Sequence, residues 1–212
     1  MHLAASFFIF CFCFAASIER WIFVTYYYNS YDQTAPIRFA AQLTKLLSEH
    51  MEPYHPPVLL CIGTDRSTGD CLGPLIGYKL SSYLEKHPLI LYGTLSSPVH
   101  AGNLDDTLDT IKEKHPHAPV IAIDASLGTS SHIGYVTLGA GSIRPGLGVK
   151  KELPEAGDIC VTGIVNFSGK LNHLCLQTTR LSTVMQLADC ISFGIISALV
   201  YREKAEKTLL SQ

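Results

Sequence analysis

Two aspartates follow two short apolar runs of this chain. Asp124 comes directly after the run 120–123, and Asp70 ends a polar loop that follows the run 58–62. Two carboxyl groups that share a partly buried site cannot both ionise cheaply, so one keeps a proton while the other serves as a base. Such a pair can activate water for attack on an amide, or it can hold a metal ion.

Predicted helices and strands alternate along the chain. Apolar residues at helical spacing predict helices, and short continuous apolar runs predict strands buried on both faces. The predicted helices are 36–50, 74–85, 104–113 and 182–201, and the predicted strands are 58–62, 89–92, 120–123, 133–138 and 159–165. This order favours a three-layer α/β/α domain around a largely parallel central sheet.

The two aspartates would meet if their strands are neighbours. In open α/β sheets, ligands bind outside the carboxyl ends of the strands, so Asp70 and Asp124 would then face one crevice. Simpler explanations exist for each residue alone. Asp70 could only cap the following helix, and Asp124 could only begin a turn. The spacing leaves these alternatives open.

Other polar residues near the predicted crevice give weaker indications of function. The loop 63–69 lacks the sequence patterns of a P-loop and of a dinucleotide fold, which disfavours phosphate binding. Cys71 could be a nucleophile at a helix N-terminus, although a structural thiol fits its surroundings better. His100, His132 and His173 fall near strand ends or loops and could line the crevice. Ser126 lacks the G-x-S-x-G pattern of a serine nucleophile.

Composition excludes several classes of protein. The 212 residues are 47% hydrophobic and only 16% charged, which excludes a disordered chain and suits one domain. The formal net charge of −2 gives no basic excess, so no nucleic-acid partner is expected. Seven cysteines without C-x-x-C spacing disfavour a disulfide framework and a zinc cluster, and they indicate a reducing compartment.

The first part of the chain is a hydrophobic extension, residues 1–30, ahead of a single domain, residues 31–212. Three interpretations of the extension stay open. A signal peptide would lack its positive n-region. A membrane anchor would be interrupted by Glu19 and Arg20, and a membrane partner is expected only if residues 1–28 are a genuine anchor. A start codon assigned too early would place the true start near residues 28–31.

The stretch 61–74, CIGTDRSTGDCLGP, resembles the YyaC-type sporulation proteins, a family of candidate spore proteases. The resemblance extends from about Tyr31 to the C-terminus. That family is similar in turn to the germination protease that degrades small acid-soluble spore proteins. It shares the HybD-like fold of the hydrogenase-maturation proteases, and the resemblance implies the same fold here.

Three motifs of the germination protease have counterparts in this chain. The aspartate of its P-D-A-L-G-P motif corresponds to Asp70, and that of its I-D-A-L-A motif corresponds to Asp124. Its I-x-P-G-x-G-V segment is matched by residues 143–149. That enzyme is regarded as an atypical aspartic protease, so the resemblance implies that Asp70 and Asp124 are catalytic. The residues expected around the pocket are Gly63, Thr64, Asp65, Arg66, Ser67, Thr68, Gly69, Ser126, Pro145 and Gly146.

The chain also departs from its relatives. Cys71 stands where the germination protease has alanine, and no histidine here matches the third nickel-contacting residue of the maturation proteases. No metal ion and no cofactor are therefore expected. Arg66 could hold a substrate carboxylate or pair with Asp65.

The expected function is hydrolysis of a peptide bond during sporulation, with Asp70 and Asp124 sharing one proton. The substrate would be a protein or peptide, with small acid-soluble spore proteins as candidates, and the place would be the cytoplasm of the forespore or spore. One alternative is a non-catalytic module of the same fold that binds a peptide or protein. Another is a metal-dependent hydrolase. The apolar excess is also compatible with a homo-oligomer.

Overall fold

The computed structural model describes residues 24–50, 55–84, 87, 89–146 and 153–210. Within them the strands are β1 (Thr25–Asn29), β2 (Val58–Cys61), β3 (Ile90–Tyr92), β4 (Val120–Gly128), β5 (Tyr135–Ala140) and β6 (Ile159–Phe167). The helices are α1 (Ala35–His50), α2 (Leu72–Ser81), α3 (Leu104–Lys114), α4 (Asn172–Gln177) and α5 (Leu181–Leu210). Every helix and strand that the sequence predicts is present, although several begin or end at other residues.

In the described residues the strands form one sheet in the order β1-β5-β6-β4-β2-β3. β3, β2, β4 and β6 run parallel to one another, whereas β5 is antiparallel to both β6 and β1. The sheet is therefore largely parallel, which confirms the predicted three-layer α/β/α architecture. The strand order reverses at β2, because the chain goes outward to β3 and then returns across β2 to β4. Ligand sites of open α/β sheets lie at such a reversal.

An apolar core covers each face of the sheet. The larger core lies under α1, α2 and α5, which bury side chains such as Phe39, Ile76 and Leu187. The smaller core lies under α3, where Leu104 and Ile111 pack on the other face. Right-handed crossovers explain this division, since the connections β2-α2-β3 and β3-α3-β4 move across the sheet in opposite directions.

Helix α5 is the most apolar helix of the domain. In the described part of the chain, one stretch, Leu181–Ala205, is long and apolar enough to cross a membrane by length and composition. However, 61% of its apolar window is buried within the domain. Its buried residues pack against α1, α2 and the sheet, so in this fold α5 serves as a core helix.

The sequence did not predict β1 and α4. β1 pairs antiparallel with β5, and its Tyr28 is buried in the larger core. The strand lies within residues 1–30, so the sheet begins before the boundary that composition suggested. It was missed because its aromatic residues continue the apolar N-terminal run. Residues 1–23, on which the signal, anchor and early-start interpretations depend, lie outside the described residues.

Candidate functional site

Asp124 lies on β4 at the point where the neighbouring strand β2 ends. The last register pair between these strands is Cys61 with Ile123, so Asp124 is the first β4 residue beyond β2. The prediction that Asp124 ends its own strand is wrong, because β6 continues to pair with β4 as far as Gly128. The end of β2 opens the sheet on one side of Asp124 while β6 holds the other side.

The carboxyl group of Asp124 is buried and has a fixed orientation. Asp124 is only 9% exposed, and its Oδ1 accepts a hydrogen bond of 2.7 Å from the backbone N–H of Ala125. Burial raises the pKa of Asp124 well above its usual value, and the charge of Asp70 raises this pKa further. The Ala125 N–H opposes this shift. The physical consequence is that Asp124 favours its protonated form.

Asp70 lies on a tightly closed loop that follows β2. The chain leaves β2 through Gly63, whose N–H donates to the carbonyl of Val99 at 2.8 Å and whose φ is +138°. The Thr64 N–H then donates to the backbone carbonyl of Asp70 at 3.1 Å, which joins the two ends of the loop. A Cβ on Gly63 would overlap that same carbonyl oxygen. Glycine is therefore required for the loop to close.

Asp70 does not serve as the cap of α2. The N-cap residue is Cys71, and no side-chain hydrogen bond caps the helix there. The Asp70 side chain instead lines a cavity that Asp124 also lines. Burial raises the pKa of Asp70, while the Thr64 amide and His100 lower it. Both carboxyl groups thus belong to one site, and Asp70 is the less deeply buried of the two.

The cavity has a volume of about 220 Å³ and lies at the carboxyl edge of the sheet. Seven residues that the sequence placed at the site line it: Gly63, Thr64, Ser67, Asp70, Asp124, Pro145 and Gly146. Ile62, His100, Ala101, Leu153, His173, Leu176 and Gln177 complete the lining. The lining thus combines the two aspartates and other polar residues with several apolar residues.

Helix α4, which the sequence did not predict, brings residues to the cavity. The short helix α4 supplies His173, Leu176 and Gln177, and it is fixed to the Asp70 loop because the Gly69 N–H donates to the Leu176 carbonyl at 2.8 Å. A helix of six residues is too short for apolar periodicity to reveal it. The sequence predicts that His100 and His173 could line the crevice, and both are part of the cavity lining.

Two short arms, residues 142–146 and 153–156, supply another part of the cavity wall. Ile143 and Ala156 form an isolated antiparallel bridge. Glu155 accepts hydrogen bonds of 2.7 Å from both Ser142 and Arg144, and these bonds lower the pKa of Glu155. The bridge brings Pro145, Gly146 and Leu153 into the cavity lining. The residues between the arms, 147–152, lie outside the described part of the chain.

The other predicted pocket residues lie outside the cavity lining. Asp65 and Arg66 are exposed, and Arg66 forms no ion pair within the residues that the structure describes. Gly69 packs against Leu176 and Thr179. The Thr68 carbonyl accepts a hydrogen bond from Cys71. Ser126 instead pairs with the Thr162 hydroxyl at 3.0 Å.

His132, the third histidine that the sequence predicted near the crevice, is not part of the cavity lining. Its ring lies between Tyr27 and Tyr135, and its Nδ1 lies 2.7 Å from the hydroxyl oxygen of Thr129. These contacts hold it on the face of β1 and β5, outside the cavity lining. Within the described ranges, no group of three or more metal-ligating side chains of the His, Cys, Asp and Glu types comes together.

The site lies within a segment that matches a known family. A family model described as "Protein of unknown function (DUF1256)" matches residues 27–194. The chain is also 45% identical over 158 residues to "Uncharacterized protein YyaC" of Bacillus subtilis (strain 168), covering 74% of this chain and 77% of that protein. The chain belongs to the DUF1256 family. Both aspartates, α4 and the whole sheet except the start of β1 lie inside the matched residues.

The environment of Cys71 in this DUF1256 protein argues against a nucleophilic thiol. Burial raises the pKa of Cys71, and the neighbouring Asp70 raises it further. Its Sγ donates to the Thr68 carbonyl at 3.0 Å, which also holds the protonated form. A thiol needs its thiolate form to react, so a raised pKa makes it inert at neutral pH.

We expect iodoacetamide at pH 7 to alkylate Cys71 more slowly than it alkylates glutathione in the same tube. The rate is measured by mass spectrometry of the digested protein. Cys175 and Cys190 are buried and serve as internal references for unreactive thiols. Alkylation of Cys71 faster than glutathione would show a thiolate at this position and reopen the nucleophile interpretation.

Proposed function

We propose that this DUF1256 protein is a peptidase of sporulation that hydrolyses a peptide bond with its aspartate pair. The observation that supports this proposal is the convergence of Asp70 and Asp124 on one partly apolar cavity. Two neighbouring carboxyl groups with raised pKa values are suited to share one proton. Perturbed carboxyl groups in a cleft are a physical signature of a functional site.

The surroundings of the two carboxyl groups support different roles for them in the proposed reaction. Asp124 is the more deeply buried, and the charge of Asp70 further favours the protonated form of Asp124. Asp70 is partly exposed, and the Thr64 amide favours its ionised form. Asp70 is therefore the base that takes a proton from water, and Asp124 is the acid.

The reaction then balances without another reagent. Water adds to the carbonyl carbon of the peptide bond while Asp70 accepts a water proton and Asp124 gives its proton to the carbonyl oxygen. The carbon–nitrogen bond then breaks as Asp70 passes its proton to the leaving nitrogen and the hydroxyl proton returns to Asp124. The products are a carboxylic acid and an amine, and both aspartates regain their starting states.

The assay that tests this proposal uses the purified full-length chain. It is offered small acid-soluble spore proteins, a spore extract and a peptide library made from digested bacterial proteins, and the products are read by mass spectrometry. Wild type, Asp70→Asn and Asp109→Asn are compared, because Asp109 is an exposed aspartate of α3 outside the cavity. We expect Asp70→Asn to lower the cleavage rate about 10²–10⁴-fold and Asp109→Asn to leave it unchanged.

The other outcomes of this assay would overturn the proposal. Equal cleavage by all three proteins would place the activity elsewhere. No cleavage by correctly folded wild type, combined with retention of a peptide on the immobilised protein, would favour the binding module. Loss of cleavage in a chelator, restored by a divalent ion, would favour the metal-dependent hydrolase.

The cavity also predicts a preference among peptides. Its walls carry Ile62, Leu153 and Leu176, and its acidic groups are the two aspartates. The volume of about 220 Å³ is below the roughly 300–1,000 Å³ of pockets that enclose drug-sized ligands, so it suits one side chain of an extended peptide. We expect cleaved library peptides to carry an apolar residue at one fixed position beside the cut bond. Acidic residues enriched at that position would contradict this prediction.

A further inference from the structure

The loop after β3 presents an anchored histidine to the cavity. His100 follows Val99, whose carbonyl accepts the Gly63 N–H, so its backbone is joined to the loop that carries Asp70. The His100 N–H donates to Asn103 Oδ1 at 2.8 Å, and Asn103 Nδ2 donates to the Pro98 carbonyl at 3.1 Å. Hydrogen bonds within this loop, and one to the loop that carries Asp70, therefore fix the backbone at His100.

The imidazole ring of His100 has a fixed hydrogen-bonding pattern. The Gly102 N–H donates to His100 Nδ1 at 3.1 Å. A ring nitrogen that accepts a hydrogen bond carries no proton, so the neutral ring holds its proton on Nε2. A Cβ on Gly102 would lie 3.1 Å from His100 Cε1 and 3.2 Å from Nδ1, so glycine leaves room for the ring to settle there.

The Nε2–H of His100 is suited to donate a hydrogen bond to the substrate in the proposed reaction. His100 lines the cavity together with Asp70 and Asp124. As water adds to the peptide bond, electron density builds on the carbonyl oxygen, and a positioned N–H donor stabilises it beside the proton that Asp124 gives. His100 and His173 are both exposed residues of the cavity lining, and the His100 ring is held by the hydrogen bond from the Gly102 N–H.

Resting on the proposed function, we infer that His100 is a further catalytic residue whose Nε2–H donates a hydrogen bond to the carbonyl oxygen of the scissile peptide bond. The Gly102 amide holds the ring in the tautomer that makes Nε2 the donor. Gly102 is therefore a positioning residue that acts through His100.

The kinetic test uses the library peptide that wild type cleaves best. We expect His100→Ala to lower kcat about 10²–10³-fold with a smaller change in KM, because the lost hydrogen bond strengthens in the transition state. His100→Gln keeps a side-chain N–H donor and is expected to restore part of that loss. His117→Ala, at an exposed position outside the cavity, is the control and should match wild type.

Two measurements separate this role from a structural one. Long-range ¹H–¹⁵N spectra of the imidazole rings should show the Nε2–H tautomer for His100 in wild type. Gly102→Ala leaves the histidine in place but crowds its ring, and we expect it to lower kcat while the unfolding curve stays that of wild type.

Failure of the inference is distinguishable from failure of the proposed function. If Asp70→Asn is inactive while His100→Ala has the kcat of wild type, the carboxyl pair keeps its role and the His100 inference is overturned. An Nδ1–H tautomer for His100 would overturn it as well. If Asp70→Asn cleaves as fast as wild type, the proposed function itself fails.

Discussion

Replacing Asp124 with Asn should abolish peptide hydrolysis and at the same time raise the free energy of unfolding at neutral pH. The cleavage rate is expected to fall about 10²–10⁴-fold, because Asn cannot supply the proton that Asp124 gives to the carbonyl oxygen. The side chain keeps its shape, and the amide oxygen can still accept the hydrogen bond from the Ala125 N–H. The substitution therefore removes a proton donor without opening a void.

The gain in stability follows from the raised pKa of Asp124. Above that pKa the folded protein holds a buried carboxylate, which Asn replaces with a neutral group. We expect a gain on the order of 1–2 kcal/mol, within the range that single stabilising substitutions commonly give. For a domain of this size, each kcal/mol raises Tm by about 2–4 °C.

The pH dependence of this stability difference tests the raised pKa of Asp124 more directly than the difference at one pH does. The pKa of Asp124 is higher in the folded state than its ordinary value of 3.8, so between these two values the folded state holds a proton that the unfolded chain has lost. Stability of wild type is therefore lost as the pH rises through that window. The difference between Asp124→Asn and wild type should be small below pH 3.8, grow through the window and then become constant.

Urea unfolding followed by circular dichroism, at a series of pH values, measures this difference. Asp109→Asn is the control, because its exposed carboxyl group lies outside the cavity. A stability difference for Asp124→Asn that does not change with pH would contradict the raised pKa. A variant that is both stabilised and fully active would contradict the catalytic role of Asp124.

Gly77→Ala should destabilise the protein strongly, although alanine is the better helix former. A Cβ at Gly77 would overlap the backbone oxygen of Gly93, and one at Gly73 would overlap that of Ile62. Helix α2 thus lies directly against the backbone at the ends of β2 and β3. Alanine gains about 0.5–1 kcal/mol of helix propensity. The overlap with rigid backbone outweighs this gain, since overpacking a core costs about 1–3 kcal/mol and occasionally more.

The same variant should also lose activity, because a displaced α2 carries the end of the Asp70 loop with it. Thermal unfolding and the cleavage assay are the measurements, and Gly169→Ala is the matched control. At Gly169, which is exposed, an added Cβ would come no closer than 3.5 Å to Phe167, an ordinary contact. Wild-type Tm for Gly77→Ala would show that α2 can move away from β3 without cost and would contradict the close packing described above.

Much of the fold could be predicted because burial constrains each element locally. The run Val58–Cys61 is fully buried, and a strand covered on both faces must be apolar throughout. The amphipathic helix α3 has its two fully buried residues, Leu104 and Ile111, at helical spacing. The same reasoning does not predict β1, because its partly exposed aromatic residues resemble the apolar stretch before them and mark no separate element.

The candidate site was predictable only in part. Asp70 and Asp124 could be singled out because each follows an apolar run, and the pairing of β2 with β4 confirmed that the two strands are neighbours. The loop residues were harder, because a sequence does not show which side chains of a closed loop point inward. Thr64 and Ser67 line the cavity, whereas Asp65 and Arg66 face solvent.

The amino-acid sequence alone therefore determined the order of helices and strands, the α/β class and the two aspartates, since all of these depend on local patterns of apolar and polar residues. Only the tertiary structure decided what surrounds the aspartates. His100, the arm at Pro145 and helix α4 come from distant parts of the chain and meet only because the sheet reverses its order at β2. The state of the proton is also a tertiary property, because it depends on how deeply each carboxyl group is buried and on what charge lies beside it.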